Sequence, residues 1–452
     1  MTLCVSRPGQ LWADGDGKNE EAKAKPARLE TPSPLTARNG MGVPGLARRL
    51  FCVVVVVFSW MISRSAIVFA DEPANSATSS AAPGTATSVQ QEPAAASPPS
   101  AAKWQYNGFV DAGYLLDFNH PANHLFRDRS TTFKVDELDL NMAALGVKKA
   151  ASESSRWGME FAVQAGKDSE QFGFSATAPN VSGADWLRHF GLANVSYLTP
   201  VGQGLTVQAG LFNSFIGYDS LYAKDNFTYT RPWGGDYTPY LMFGVNASYP
   251  FSKKATATVF VINDYFHLAD PNDVPSIGGQ VAYLPTGHVT LKETVLYGPN
   301  QSNTALEFWR FFFDSISEWK RGRTTMAFEF QAGTERVASP GDPRALWMSA
   351  QLPVHCVVHG PWSVTARPEI AWDRNGRWTG SPQLVKAATA TLEYKLAYRK
   401  TNTITRVEYR FDNSRGSGGG FFRGAEISPG VIGLTPNQHL FILAVIIGFD
   451  SL

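Results

Sequence analysis

The chain has 452 residues, of which 17% are charged and 12% are aromatic, and its formal net charge is +1. The charged fraction is low for a soluble domain, and no basic stripe argues for nucleic-acid binding. A mean hydropathy of −0.16 argues against a helical membrane protein but suits a barrel that averages a polar interior with an apolar exterior. Cys4 and Cys52 lie in segments expected to be removed, which leaves Cys356 alone and predicts neither a disulfide nor a thiolate metal site.

The amino-terminal region has the order of a secretory signal peptide. Arg48 and Arg49 precede an apolar run at 50–62, and small residues follow up to Ala70. This run is shorter than the roughly 20 residues of a membrane-spanning helix. We therefore predict a signal peptide at 41–70 with cleavage after Ala70.

The segments on either side of the signal peptide contribute little to a fold. Because an export signal works from the terminus, we expect Met41 to be the true start and 1–40 to be a non-native upstream extension. Residues 71–103 are rich in Ala, Pro and Ser and are predicted to be a disordered linker. The folded part is predicted to be an outer-membrane barrel at 104–452.

From residue 104 onward, apolar residues alternate with polar ones in about sixteen segments, which is typical of strands with unlike faces. Strands are predicted at 104–116, 133–147, 157–166, 190–198, 205–215, 240–249, 255–263, 277–284, 289–297, 306–316, 324–335, 345–353, 362–372, 384–398, 403–411 and 439–449.

The links between these segments alternate in length. Long polar links are predicted at 117–132, 167–187, 216–239 and 264–276, and tight links separate them. Bacterial outer-membrane barrels have this asymmetry, with short periplasmic turns and long external loops. We therefore predict an all-β fold, a closed antiparallel transmembrane β-barrel of about 16 strands with both termini in the periplasm. A soluble sandwich with sugar-stacking tryptophans is the alternative fold.

Two residues depart from this pattern. Pro368 interrupts a strand that should be paired on both sides, which predicts a β-bulge. Glu293 falls in phase with apolar neighbours, so either the register slips there or the carboxylate lies near a membrane interface.

Charged residues on the polar faces are candidates for the lumen wall, where their charges would sort solutes. These candidates are Glu137, Asp139, Glu160, Glu329, Arg367, Glu369, Glu393, Lys395, Arg406, Glu408 and Arg410. Their mixed signs predict weak ion selectivity, and wall salt bridges that only satisfy one another are the alternative.

The third long link is predicted to fold inward as a constriction, with an ordinary external loop as the alternative. Its polar candidates are Tyr218, Asp219, Lys224, Asp225, Arg231 and Asp236.

Several motifs resemble the OmpL-like β-barrel porin family of Gram-negative outer membranes. They are LYAKDNFTYTRPW at 221–233, VFVINDYFHLADPN at 259–272, LYGPN at 296–300, RVEYRFDNSRG at 406–416 and LTPNQHLFILAVIIGF at 434–449. The resemblance implies a porin fold and no particular substrate. The chain departs from the usual assembly signal, because Phe449 is followed by three further residues.

The predicted function is passive diffusion of small hydrophilic solutes through a water-filled lumen. Expected partners are outer-membrane lipids, the barrel-assembly machinery and two further copies in a homotrimer, without cofactor or nucleic acid. A plugged barrel that serves as an adhesin or structural anchor is the main alternative. Ser349 with His355 gives no convincing hydrolase spacing, and the pairs His120/His124 and His355/His359 lack a third metal ligand.

Overall fold

A computed structural model describes residues 104–170, 184–266, 272, 274–301, 306–338, 340–341 and 343–451. The predicted extension, signal peptide and linker lie outside the described residues.

The described residues form nineteen strands joined by turns, loops and short helices. The strands are β1 (Gln105–Asp117), β2 (Leu138–Lys149), β3 (Trp157–Ala165), β4 (Phe190–Leu198), β5 (Thr206–Asn213), β6 (Leu241–Ser252), β7 (Ala255–Ile262), β8 (Ser276–Thr286), β9 (Val289–Pro299), β10 (Trp309–Arg321), β11 (Thr324–Arg336), β12 (Arg344–Gln351), β13 (Val354–His359), β14 (Trp362–Asp373), β15 (Gln383–Tyr398), β16 (Thr401–Arg415), β17 (Phe421–Ser428), β18 (Val431–Thr435) and β19 (Asn437–Asp450). The helices are α1 (Lys167–Glu170) and α2 (Trp233–Asp236), with 3₁₀ turns at Ala184–His189, Ala223–Asp225 and Leu306–Phe308.

The main sheet closes on itself. Consecutive strands pair antiparallel, and β1 pairs with both β2 and β19, from Asn107 opposite Asp450 to Asp117 opposite Leu440. β12 and β13 both pair with β11 and β14, so they are two segments of one barrel strand. Because β17–β18 form a separate hairpin, the barrel has sixteen strands. The predicted fold class is confirmed.

One edge of the barrel carries tight turns and the other carries long loops, as the link lengths predict. The turns at 253–254, 287–288 and 399–400 contrast with the loops at 118–137 and 214–240. No helix among the described residues is long and apolar enough to span a bilayer.

The prediction of a bulge at Pro368 is wrong. β14 pairs with β15 without a register shift, and Pro368 lies opposite Ala388. The interruption falls on the other neighbour, where Leu352 and Pro353 separate β12 from β13. The Leu352 N–H still donates to the Pro368 carbonyl at 3.1 Å. Pro353 and Pro368, in adjacent strands, thus remove backbone N–H donors from the hydrogen-bond ladder without changing its register.

Three element boundaries differ from the sequence predictions. The link left between the predicted strands at 345–353 and 362–372 is mostly β13. The segment at 133–147 begins as a strand only at Leu138, because Phe133 and Val135 are buried within the preceding loop. The last loop contains the β17–β18 hairpin, which we did not predict.

Glu293 lies on the outward face, and neither explanation offered for it holds. Its pairings with Val281 on β8 and Ser315 on β10 belong to unshifted stretches of the ladders, and Ser315 Oγ donates to Glu293 at 2.9 Å. It is four residues from Val289, which lies opposite Trp319, and four from Tyr297. The carboxylate is therefore near the middle of the outward apolar band rather than at its border.

Candidate functional site

Residues 214–240, which join β5 to β6 and which we name loop 3, fold into the barrel. The side chains of Tyr229, Arg231 and Trp233 in this loop are at most 1% exposed. A buried loop must find partners for its backbone polar groups. Loop 3 finds them on the barrel wall.

The beginning of loop 3 is attached to β8, β9 and β10. The Phe215 carbonyl accepts hydrogen bonds from Gln280 Nε2 at 2.7 Å and from Thr294 Oγ1 at 2.9 Å. The Gly217 N–H donates to Asp314 Oδ2 at 2.9 Å. These bonds turn the chain from the wall into the lumen.

Arg406 on β16 binds the middle of loop 3 through backbone carbonyls. Its guanidinium donates to the carbonyls of Ala223 at 2.7 Å, Asn226 at 2.5 Å and Thr228 at 3.2 Å. The same guanidinium pairs with Glu393 at 2.7 Å. A planar group with five donors suits several carbonyls at once, because each N–H points in a fixed direction.

Glu408, two residues further along β16, binds the next part of loop 3 through backbone N–H groups. It accepts hydrogen bonds from the N–H of Tyr229 at 2.6 Å and of Thr230 at 2.9 Å, and from Thr391 Oγ1 at 2.7 Å. The Tyr229 hydroxyl donates to Asp111 on β1 at 2.8 Å. Since only β19 lies between β16 and β1, these bonds hold the middle of loop 3 on the side of the wall opposite to its attachment at β8, β9 and β10.

The α2 end of loop 3 binds acidic side chains of β14 and β16. The Trp233 N–H donates to Glu369 at 2.6 Å, and its indole Nε1–H donates to Asp412 at 2.7 Å. Arg410 pairs with Glu369 at 3.0 Å and with Asp412 at 2.8 Å, and it also donates to the Arg231 carbonyl at 3.1 Å. The charges of this region are thus paired as well as buried.

Five charged side chains of β14 and β16 share this role, and we name them the wall cluster. The wall cluster is Arg367, Glu369, Arg406, Glu408 and Arg410. Arg367 completes it by donating to the Thr230 carbonyl at 2.7 Å and to Thr228 Oγ1.

Two neighbouring long links, between β1 and β2 and between β3 and β4, also hold loop 3. Arg129 pairs with Asp236 at 2.8 Å, and Thr131 Oγ1 donates to Asp236 at 2.8 Å. Asp168 of α1 pairs with Arg231 at 3.2 Å. Burial raises the pKa of Asp168 to about 6, although the charge of Arg231 opposes this rise.

Aromatic rings fill the lumen near the loop edge. Phe126 meets Trp233 edge-on with ring centroids 5.8 Å apart, and Tyr237 stacks on Trp378 at 5.9 Å. Phe421 packs on Trp233 at 6.1 Å. These five residues, the aromatic cluster, form a packed core inside the barrel where the sequence had predicted water.

Most of the predicted wall residues point inward and are covered. Eight are under 9% exposed, namely Asp139, Glu329, Arg367, Glu369, Glu393, Arg406, Glu408 and Arg410. Lys395 is half-buried, and Glu160 pairs with Lys148 at 2.5 Å. Glu137 lies in the loop just before β2 and pairs with Lys134 at 3.2 Å. Their role in selecting ions stays a prediction.

The predicted constriction residues all lie in the inward loop. The Tyr218 N–H donates to Glu329 at 2.8 Å, and Asp219 accepts from a glutamine of β12 at 2.7 Å. Lys224 and Asp225 pair with each other at 2.8 Å. The loop therefore has the inward course that the sequence predicted, and its contribution to a constriction stays a prediction.

Sequence reasoning missed several residues that fix loop 3. They are Asp111, Arg129, Asp168, Asp314 and Asp412. Asp111 and Asp412 carried a signal, since Asp111 interrupts an apolar inward row of β1 and Asp412 continues the charged inward row of β16. The loop residues Arg129 and Asp168 carried none.

Residues considered for catalysis and metal binding have other partners. Ser349 Oγ donates to Gln331 at 2.9 Å, and His355 lies 2.9 Å from Thr365 Oγ1. No group of three His, Cys, Asp or Glu side chains able to hold a metal occurs in the part of the chain that the structure describes.

A closed sixteen-stranded antiparallel barrel with a long loop folded into its lumen defines the class of β-barrel porins. The chain belongs to the family described as "Putative beta-barrel porin-2, OmpL-like", whose model matches residues 103–449. The resemblance inferred from the motifs is confirmed, and the family places the chain among outer-membrane proteins.

Solved structures support the same fold. The anion-selective porin from Comamonas acidovorans is 13% identical, with a TM-score of 0.50, over 77% of this chain and 100% of that one. OmpF of Salmonella typhi, in complex with daunomycin, is 11% identical, with a TM-score of 0.51, over 77% of this chain and 98% of that one. At these identities the likeness concerns the fold alone. No curated protein matches the chain.

Proposed function

We propose that this protein is an outer-membrane channel for passive diffusion of small hydrophilic solutes, with loop 3 as its constriction. The observation that carries the proposal is the course of loop 3, which is bonded to β9 through Thr294 and to β1 through Asp111, on opposite sides of the barrel. A loop held at both sides of a lumen narrows it without needing a moving part. Membership in a porin family supports the same role and gives no reason to propose catalysis.

The proposed selectivity between ions is weak. The charges of the wall cluster are neutralised, as in the pairs of Arg410 with Glu369 and of Arg406 with Glu393 of β15. A pore wall whose charges are paired offers little net field to a passing ion. Among the other candidates, Glu137 and Glu160 are neutralised by Lys134 and Lys148.

The proposed orientation and partners follow from the class. The loop edge would face outward and the turn edge the periplasm, after export through the signal predicted at 41–70. Outer-membrane lipids, the barrel-assembly machinery and a homotrimer are the proposed partners. Cross-linking in native outer membranes tests the trimer.

Planar-bilayer recording of the purified, heat-modifiable barrel tests the channel. We expect stepwise conductance that rises several-fold when residues 223–230 of loop 3 are replaced by a short Gly-Ser linker. A matched control replaces only the exposed tip of the β17–β18 hairpin, residues 425–430, which should leave the conductance of the barrel unchanged. Absence of conductance from both the native and the loop-replaced barrel would contradict the proposal.

A second candidate, a plugged barrel that acts as an adhesin or structural anchor, is favoured by the aromatic cluster. Rings packed 5.8–6.1 Å apart leave no room for water between them. The same recording separates the two candidates, because a plugged barrel would be silent in its native form and conduct only after the loop is replaced.

A further inference from the structure

The inner faces of β4, β5 and β6 carry a row of uncharged amides. Gln208 Nε2 donates to Asn194 Oδ1 at 2.8 Å, and Asn246 Nδ2 donates to Gln208 Oε1 at 3.0 Å. We name these three residues the amide row. A carboxamide has two N–H donors and two acceptor lone pairs. Gln208 therefore has one donor and one acceptor position beyond those that the row uses.

The amide row continues into other uncharged or neutralised groups. Ser248 and Thr258 lie next along the sheet, with their hydroxyl oxygens 2.7 Å apart. At the other end, Asn194 Nδ2 lies 3.4 Å from Glu160, whose charge is balanced by Lys148 at 2.5 Å. This side of the lumen thus presents hydrogen-bonding groups with little net charge.

Loop 3 covers a different part of the wall. Arg406 and Glu408 beneath it are at most 1% exposed. In the amide row Asn194 and Asn246 are also buried, whereas Gln208 and the neighbouring Ser248 keep part of their surface accessible to solutes. The hydrogen bonds of loop 3 reach β1 to β3, β8 to β12, β14 and β16, whereas Gln208 bonds to Asn194 and Asn246, and Asn194 also donates to the Leu211 carbonyl. Water that enters the barrel from the turn edge therefore meets amides and hydroxyls, and the charges of the wall cluster are occupied.

We infer that the solutes of this channel are uncharged polyhydroxylated compounds, such as simple sugars, which exchange hydrogen bonds with the amide row. A sugar hydroxyl both donates and accepts, as a carboxamide does, so each can replace the water lost by the other. An ion on the same path loses hydration and finds no opposite charge left free to compensate it. The inference rests on the proposed channel and adds the class of substrate.

Swelling of proteoliposomes made with the full-length barrel tests the inference. Glucose should enter faster than both gluconate and protonated glucosamine, which are close to it in size but charged. Gln208→Leu should slow glucose about fivefold by removing the accessible hydrogen-bonding group of the amide row at similar volume. The matched control is Gln203→Leu, an amide in the turn between β4 and β5, which should leave the glucose rate unchanged.

A second variant covers the case in which Gln208→Leu fails to fold. Gln208→Glu keeps the shape and adds a negative charge, and it should raise the entry of glucosamine relative to glucose. Equal entry of glucose, gluconate and glucosamine into proteoliposomes with conducting native barrels would overturn the inference. The proposed channel function would be unaffected. Absence of both conductance and swelling would instead overturn the proposed function, and the inference with it.

Discussion

Thr230 donates two hydrogen bonds to Glu408, from its backbone N–H at 2.9 Å and from its hydroxyl at 2.5 Å. The two residues are 178 positions apart, and both are fully buried. A loop backbone buried in this way depends on the wall carboxylate, since no water is left to replace it. Glu408 is therefore the side chain whose loss should release loop 3 most readily.

Glu408→Gln should lower the free energy of unfolding by about 1–3 kcal/mol, because a carboxamide places an N–H group against N–H donors of the loop. It should also raise the mean conductance and its fluctuation. Denaturant titration in detergent and bilayer recording measure the two effects. Glu426→Gln, on the exposed β17–β18 hairpin, is the control, and equal stability of the two variants would contradict this role of Glu408.

Glu293→Leu should make the barrel more stable. Among the outward positions of the described barrel strands, Glu293 is the only acidic residue, and it lies mid-strand. Replacing a polar group by an apolar one on the lipid face should raise the free energy of unfolding by about 1–2 kcal/mol. Val281→Leu, directly opposite on β8, is the control. A loss of stability in Glu293→Leu would mean that the hydrogen bond from Ser315 outweighs the cost of a polar group on the lipid face.

The contribution of Asp168 to the free energy of unfolding should fall as the pH rises from about 4 to about 6. Its ordinary pKa is 3.8 and burial raises it to about 6, so the folded form holds the proton more tightly than the unfolded form. Stability is then lost as the buried carboxyl ionises, by at most about 3 kcal/mol. The charged groups facing it are Arg231, Arg129 and Asp236.

Asp168→Asn isolates this effect. The free energies of unfolding of the variant and of the native protein should agree near pH 4, and the variant should be the more stable near pH 7. A constant difference across this range would show that Asp168 does not titrate as its burial implies.

Gly333→Ala should destabilise the barrel. The inward position of Gly333 on β11 lies against the indole ring of Trp347 on β12, and an added Cβ would overlap that ring. Overpacking of this kind costs about 1–3 kcal/mol. Gly287→Ala, in a turn with no atom near the added Cβ, should change the denaturation midpoint little.

The strands could be predicted because each residue's face follows from alternation alone. In β14, Trp362 and Trp372 point outward while Arg367 and Glu369 point inward, as their spacing indicates. Alternation could not locate the β12–β13 break, since Leu352 keeps the outward phase of its neighbours. Nor could it separate Phe133, buried in a loop, from the strand that starts at Leu138.

The candidate site was harder to predict, because inward position does not determine what fills the lumen. The polar residues of β14 and β16 were placed correctly on the inner face, but their partners are backbone groups of loop 3 far away in sequence. Arg406, for example, meets the carbonyl of Ala223. Such a contact has no local period or spacing, so only the three-dimensional course of the loop reveals it.

Closure of the barrel by β1 and β19 has a consequence for assembly. The pairing of Asn107 with Asp450 joins residues from opposite ends of the described chain, so the contact of longest sequence separation is also the one that removes the last free edges. Loop-closure entropy makes such contacts slow to form. Until β19 arrives, β1 and β16 remain open templates for pairing with other chains, and a substitution that delays the final strand should increase aggregation even if the finished barrel is equally stable.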